Sequence, residues 1–224
     1  MELFLDDQQI AGLEKMERAA LINSITGFKN ANLVGTTDNN GRSNLAIFNS
    51  VIHLGANPAL MGFVIRPDSV ERHTLKNIEA TGYYTINHVN DNIYRQAHQT
   101  SARYPSEISE FEACGLTPVF KNDFQAPFVK ESHITIGLAF QERIDIQLNG
   151  TILVIGKITQ LYFPDDCWCS DGYVDIEKAS TVACTGLDSY HRTTRISRLT
   201  YAKQDKPLSS IACEYKNQEG YFTS

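Results

Sequence analysis

Three cations and two hydroxyls fall within residues 66–78, RPDSVERHTLKNI: Arg66, Arg72 and Lys76, with Ser69 and Thr74. Guanidinium, ammonium and hydroxyl donors at that density suit the binding of a phosphate. The stretch follows a short apolar run, residues 59–65 (ALMGFVI), that reads as a buried strand. A helix starting near Thr74 would turn its unpaired N–H groups and the positive end of its dipole toward whatever sits in front of it. The same residues also read as a capped surface helix. In that reading Thr74 is only the cap, worth about 1 kcal/mol. Arg72 then pairs with Glu71 or Glu79 at the surface, a contact worth roughly 0–1 kcal/mol.

Other reactive constellations fail on spacing. No G-x-G-x-x-G follows a strand, so the dinucleotide fingerprint is missing. Residues 150–157, GTILVIGK, imitate a Walker loop but carry five apolar or β-branched residues between the glycines instead of four, and read as a strand. Cys167-Trp168-Cys169 has one residue between its thiols, too few for a structural zinc pair, and no second pair follows. No H-E-x-x-H and no G-x-S-x-G occurs. A hydrolase is poorly supported, no metal is expected, and no residue is assigned a catalytic role.

The composition is that of a folded protein: 224 residues, 42% hydrophobic and 21% charged. A net charge of −6 without long basic runs argues against nucleic acid as a partner. The acidic, amphipathic N-terminus lacks the form of a signal peptide, and no apolar run is long enough to span a bilayer. Five cysteines suggest no pairing framework, so a reducing cytoplasm is the expected compartment and free thiols near a core the expected state.

The elements that must hold the 66–78 stretch follow from periodicity. Asp6 or Asp7 caps an expected helix over 7–20. Residues 31–37 and 43–52 form a hairpin through the turn Asp38-Asn39-Asn40-Gly41, and a loop over 54–58 leads to the strand 59–65. The helix after it ends near Thr81, with Gly82 as a left-handed cap. A strand over 83–89, helices over 91–101 and 106–113, and a long irregular passage come next. Strands over 134–140, 143–148 and 151–163 follow, with Asn149-Gly150 as a turn and Gly156 marking a bend. After Pro164 the pattern weakens to a short helix over 175–180, a polar loop over 186–192 and a polar tail from Lys203. About six strands with few helices between them indicate an antiparallel barrel or sandwich.

Taken in order, several segments resemble the flavin reductase-like family of FMN-binding split barrels. They are the strand SNLAIFNSVI, the apolar strand after Asn57-Pro58, the segment SVERHTLKNIEATGYYTINHV, and the later run from AHQTS to SEF. The similarity spans roughly residues 28–200 and is nearest to the flavoredoxin-like branch. The order of segments carries it, since S-x-x-R-x-T-x-x-N-I is degenerate alone. The resemblance implies a mainly β fold with peripheral helices, an FMN-binding split β-barrel of Greek-key antiparallel type. It implies a single domain over 1–224, with a C-terminal extension over 187–224.

The resemblance further implies a homodimer with FMN near the subunit interface. Arg72, Thr74 and Lys76, with Arg66 and Ser69, would meet the flavin phosphate. Phe48, Asn49 and Ser50 would border the isoalloxazine ring. Asn87 and His88 would end a strand close to it, and Ala97, Thr100 and Ser101 would approach from a helix, in the partner subunit's site. The implied activity takes hydride from NADH or NADPH and passes electrons through FMN to free flavin or another acceptor. One alternative is an FMN electron carrier with a protein redox partner; another is a split barrel that binds without catalysis. Each side chain also has a plain structural role: Asn49 and Ser50 can simply end a strand, and His88 and His98 can be structural histidines.

Overall fold

The computed structural model describes residues 2–67 and 73–216. It opens with two short helices, α1 (Asp7–Gly12) and α2 (Lys15–Ile25), where one was expected. Asp6 caps α1 with a full capping box, its carboxylate accepting from the Gln9 N–H. Leu13 is extended, and the Glu14 side chain then caps α2 by accepting from the Met16 N–H at 2.6 Å. A second cap two residues past the first helix explains the break.

The strands are β1 (Lys29–Asn30), β2 (Asn32–Thr37), β3 (Ser43–Phe48), β4 (Ile52–Ala56) and β5 (Ala59–Ile65). Helix α3 (His73–Thr81) and β6 (Tyr83–His88) follow, then the helices α4 (Tyr94–Gln99) and α5 (Glu110–Cys114). The chain continues through β7 (Pro118–Val119), β8 (Phe128–Val129), β9 (Thr135–Ile146), β10 (Thr151–Tyr162), β11 (Ala183–Thr185) and β12 (Ser189–His191). Seven of these form one antiparallel sheet in the order β3-β2-β6-β9-β10-β5-β4. Its two edge strands, β3 and β4, are consecutive in the chain with only residues 49–51 between them. So short a link reaches roughly 10 Å, so the edges must come together and the sheet must curl. Two contacts close the curl: Phe48 on β3 meets Phe63 on β5 with ring centroids 4.8 Å apart, and the Ser50 hydroxyl donates to the Val64 carbonyl. The result is a barrel split between β3 and β4.

Burying both faces of β2 explains why all six of its residues are buried. Val34 faces the barrel interior with Phe63, Ile65, Tyr84, Ile86, Leu138 and Val154, and α3 adds Leu75 and Ile78 to that same cluster. Leu33 faces outward, where Leu45, Ala97, Phe111, Val182 and Cys184 bring α4, α5 and β11 against the sheet. Gly35 on β2 cannot carry a side chain, since a Cβ there would lie 2.3 Å from the Pro127 carbonyl oxygen. Gly156 does mark a register shift in β10, and its Cβ would fall 2.2 Å from the Tyr84 hydroxyl.

Several expected boundaries move. The strand expected over 43–52 ends at Phe48, and the expected loop 54–58 shrinks to a cis Asn57-Pro58 turn because 52–56 pairs with β5 as its own strand. The expected strands 134–140 and 143–148 are one, β9, because β10 opposite is equally long and pairs along its whole length. The helix expected over 91–101 shortens to α4 and that over 106–113 shifts to α5. Residues 175–180 form turns instead of a helix, and the expected loop 186–192 contains β12 and the turn of a hairpin. The polar tail is engaged: Ser170 N–H donates to Glu214 O and Lys216 N–H to Trp168 O.

Candidate functional site

Helix α3 positions the cationic end. Its Leu75 and Ile78 are buried in the barrel cluster, which fixes the helix against the sheet and leaves Lys76 on the exposed side. Alongside it lies a cavity of about 290 Å³, lined by Arg42 and Ser43 from the β2–β3 turn and start of β3, and by His73, Lys76, Asn77 and Ala80 from one face of α3. Asp38 also lines it; one carboxylate oxygen serves the turn, accepting from the Asn40 and Arg42 N–H groups at 2.8 Å each, and the other lies 3.6 Å from the Arg42 guanidinium. Those backbone bonds, the Arg42 one foremost, hold the Asp38 carboxyl below its usual range. Three basic side chains and a serine, with His73, Lys76 and Asn77 on one face of α3, form a donor set that fits a phosphate monoester.

Beneath this cavity sits a buried polar network. Asn44 donates to the Thr36 and Thr74 hydroxyls at 3.3 and 3.2 Å, and Asn77 donates to Thr36 at 3.1 Å. Thr74 is therefore buried and bonded across to β3, fixing where α3 begins. Lys76, by contrast, stands at the cavity. Arg66 is exposed just after β5. Ser69 and Arg72 lie outside the described residues, as does Glu71. Glu79, one alternative partner for Arg72, accepts from Arg143 at 2.8 Å.

Strand β3 leads from this cavity to the second group. Its outer edge is covered at Leu45, whose N–H donates to the buried Glu110 carboxylate at 3.0 Å. At its far end Phe48 packs half-buried on Phe63, the Asn49 amide donates to Gly186 O at 3.0 Å, and Ser50 both donates to and accepts from the Val64 backbone. These three residues thus share one end of the split barrel. Alternation along β3 sends Leu45 and Ile47 to the helical side, where Ala97 of α4 is buried with them. The Thr100 hydroxyl is spent on Ala97 O at 2.8 Å, while Ser101 is exposed.

Asn87 and His88 lie across β2 from the end of β3, His88 in register with Phe48 through Asn32. Asn87 is fully buried and its amide is committed to Leu33 O, the Thr85 hydroxyl and the Val129 N–H, so it pins β8 to the sheet. His88 contacts the Thr181 hydroxyl at 3.2 Å, and burial pushes its pKa down to about 4, so it is neutral at pH 7. Its neighbour in type, His98, bonds to the Tyr190 hydroxyl. The sequence pattern missed Arg42, Ser43 and Asn44, which read there only as the return of a hairpin. Their signal was the Asp38–Gly41 turn, which brings them opposite α3.

A family model for the flavin reductase like domain matches residues 25–177. The chain therefore belongs to the flavin reductase-like family, whose activity is flavin-linked oxidation and reduction. Among solved structures, a split barrel domain protein from Shewanella frigidimarina NCIMB 400, assigned as a flavin reductase, is 51% identical. It covers 90% of this chain and all of that one, with a TM-score of 0.87. The flavoredoxin of Desulfovibrio vulgaris (Miyazaki F) is 23% identical over 80% of this chain and 91% of its own, TM-score 0.66, a likeness of fold. An uncharacterised protein of Aquifex aeolicus (strain VF5) is 28% identical over 104 residues, 46% of this chain and 53% of its own, so the match spans about half of that relative. No helix among the described residues is long and apolar enough to cross a membrane.

Proposed function

We propose that the flavin is FMN, bound along β3 with its phosphate at the mouth of α3, and that NADH or NADPH reduces it. The observation that carries this reading is the cavity between the β2–β3 turn and one face of α3, which Arg42, Ser43, His73 and Lys76 line together. Arg66, Ser69 and Arg72 belong to the segment entering that helix and supply further donors for the same phosphate. Phe48, Asn49 and Ser50 would flank the ring at the other end of the strand, with the backbone and amide groups that its polar edge requires. Ala97, Thr100 and Ser101 would border the ring of a second protomer in a homodimer; the exposed Ile52 and Leu54 on edge strand β4 support such pairing. Bound FMN supplies the hydride and electron chemistry, so the protein needs no dedicated acid, base or nucleophile. Reduced flavin then passes electrons to free flavin or another acceptor, in the cytoplasm.

The test is the visible spectrum of the protein after FMN addition and dialysis, followed by NADH and NADPH oxidation. Near one retained FMN per chain with steady nicotinamide consumption supports the reading. Retained FMN that only a protein donor reduces would make the protein an electron carrier. No saturable FMN binding, either retained or as an exchanging substrate, would overturn it.

A further inference from the structure

Two cysteines separated by 44 residues meet outside the residues that line the proposed flavin cavity. The Cys169 and Cys213 Sγ atoms are 2.6 Å apart, and both thiols are free. Backbone pairing sets this meeting: Cys169 bridges Tyr215, flanked by the Ser170 N–H to Glu214 O bond and the Lys216 N–H to Trp168 O bond. Two arginines converge on one of the two sulfurs, Arg195 Nη1 and Arg198 Nη1 each lying 3.6 Å from Cys213 Sγ. Cys213 also lines an open cavity of about 250 Å³ whose other polar walls are Arg195, Ser197 and Arg198. Cys169 is buried behind it.

We propose that Cys213 and Cys169 form a thiol–disulfide exchange site for small disulfides that carry carboxylates. Cys213, as thiolate, attacks one sulfur of the disulfide R–S–S–R, forming a mixed disulfide and releasing one thiolate. The Cys169 thiol then attacks Cys213 Sγ, gives up its proton, closes the intramolecular disulfide and releases the second thiol. Two protein thiols are oxidised and one external disulfide is reduced to two thiols, so electrons and protons balance.

The electrostatics assign the two roles. A hydrogen bond from Cys169 and the two guanidinium groups lower the Cys213 thiol, while burial first and the bond to Cys213 second raise the Cys169 thiol. An attacking sulfur that is more readily ionised and open to the cavity, with a protonated one behind it, is the arrangement exchange requires. The arginines are partly engaged elsewhere, Arg195 with Asp175 at 2.6 Å and Arg198 with Asp171. The Asp175 carboxylate lies 4.0 Å from Cys213 Sγ and is held by Arg195 and the Tyr215 hydroxyl. Asp175, Arg195 and Tyr215 thus anchor the site, and Cys213 lies beyond the residues matched by the family model.

Incubating the full-length reduced protein with oxidised glutathione, then mapping peptides by mass spectrometry, tests this. The wild type should yield a Cys169–Cys213 cross-link, and Cys169→Ser should accumulate one glutathione on Cys213. Arg198→Met should slow adduct formation about tenfold, because a guanidinium that both favours the Cys213 thiolate and meets the incoming carboxylate is lost. With the uncharged disulfide of 2-mercaptoethanol the discrimination by Arg198 should shrink. A cross-link no faster than adducts at Cys114, Cys167 or Cys184, or an adduct in Cys169→Ser at another cysteine, would overturn the proposal. The wild-type readout keeps the test decisive if a variant folds poorly.

Discussion

In the barrel, Phe63 meets Phe48 on one side and Tyr84 on the other, and its own side chain is fully buried. In the C-terminal arm, residues 192–216, no residue is buried at all. What holds the arm is a handful of directional contacts: Arg195 to Asp175, Tyr215 to Asp175, Arg198 to Asp171, and Lys216 over the Trp168 ring at 3.1 Å from its centroid. The barrel is stabilised by area removed from water, which tolerates small shifts and sums over many residues. The arm depends on a few charge-assisted bonds, each of which fails separately when one partner is changed or titrated. The proposed flavin cavity draws on both kinds of support, since apolar Leu75 and Ile78 seat α3 while polar Asn44, Thr74 and Asn77 set its start.

The comparison is tested hardest by Phe63→Ala. Removing a fully buried ring should cost about 3–5 kcal/mol and move the urea midpoint with the slope unchanged. A loss below about 1 kcal/mol would mean that the barrel interior is not packed around this ring. Next in size is acid destabilisation through His88. Its folded value of about 4 lies below the ordinary 6.5, so the unfolded chain binds the proton first. Stability from this group is complete above pH 6.5 and falls as the pH drops toward 4, by up to about 3 kcal/mol. His88→Gln should flatten the stability profile over that interval. An unchanged slope would remove His88 as the cause.

At the cavity, Lys76→Ala should weaken FMN binding by about 1.5–3 kcal/mol, because a charge-assisted bond to phosphate is lost. Riboflavin, which has no phosphate, should bind variant and parent alike, measured by quenching of flavin fluorescence. Equal losses for both flavins would mean that Lys76 supports α3 instead of gripping phosphate.

The same contrast explains what was legible in the sequence. Apolar alternation located β2, β5, β6 and β10 and the helix α3, because each buries a regular face and the period survives in the residues. The Asn-rich turn before Gly41 and the bend at Gly156 were legible through backbone chemistry. The cavity was legible only on its α3 side. Arg42 and Ser43 reach it through a hairpin return, and no period in the sequence says which helix a hairpin will face. Asn87 looked like a residue at a strand end, yet tertiary context spends its whole amide on β2 and β8. The arm carried no signal, since contacts such as Arg195 to Asp175 have neither period nor fixed spacing.

The smallest expected effect isolates the arm. Burial pushes the Asp175 carboxyl up, but the Arg195 guanidinium and Tyr215 hydroxyl outweigh burial and hold it below its ordinary 3.8. A depressed folded value means that this anchor is intact above pH 3.8 and is lost as the pH falls through the folded value. The single tryptophan, Trp168, reports on it, since Lys216 N–H donates to its carbonyl and the Lys216 ammonium covers its ring. In a His88→Gln background, where the barrel's own acid response is muted, Trp168 fluorescence should change below pH 3.8 while far-ultraviolet circular dichroism holds. Glu177, 3.8 Å from Arg195, and Lys178, whose backbone N–H bonds to Asp175, stay in place in this design. Replacing Arg195 by Met leaves burial as the dominant influence on Asp175, so the transition should move to higher pH. A transition that stays where it was would show that Arg195 does not hold the arm, and that the backbone pairing around Cys169 and Tyr215 suffices.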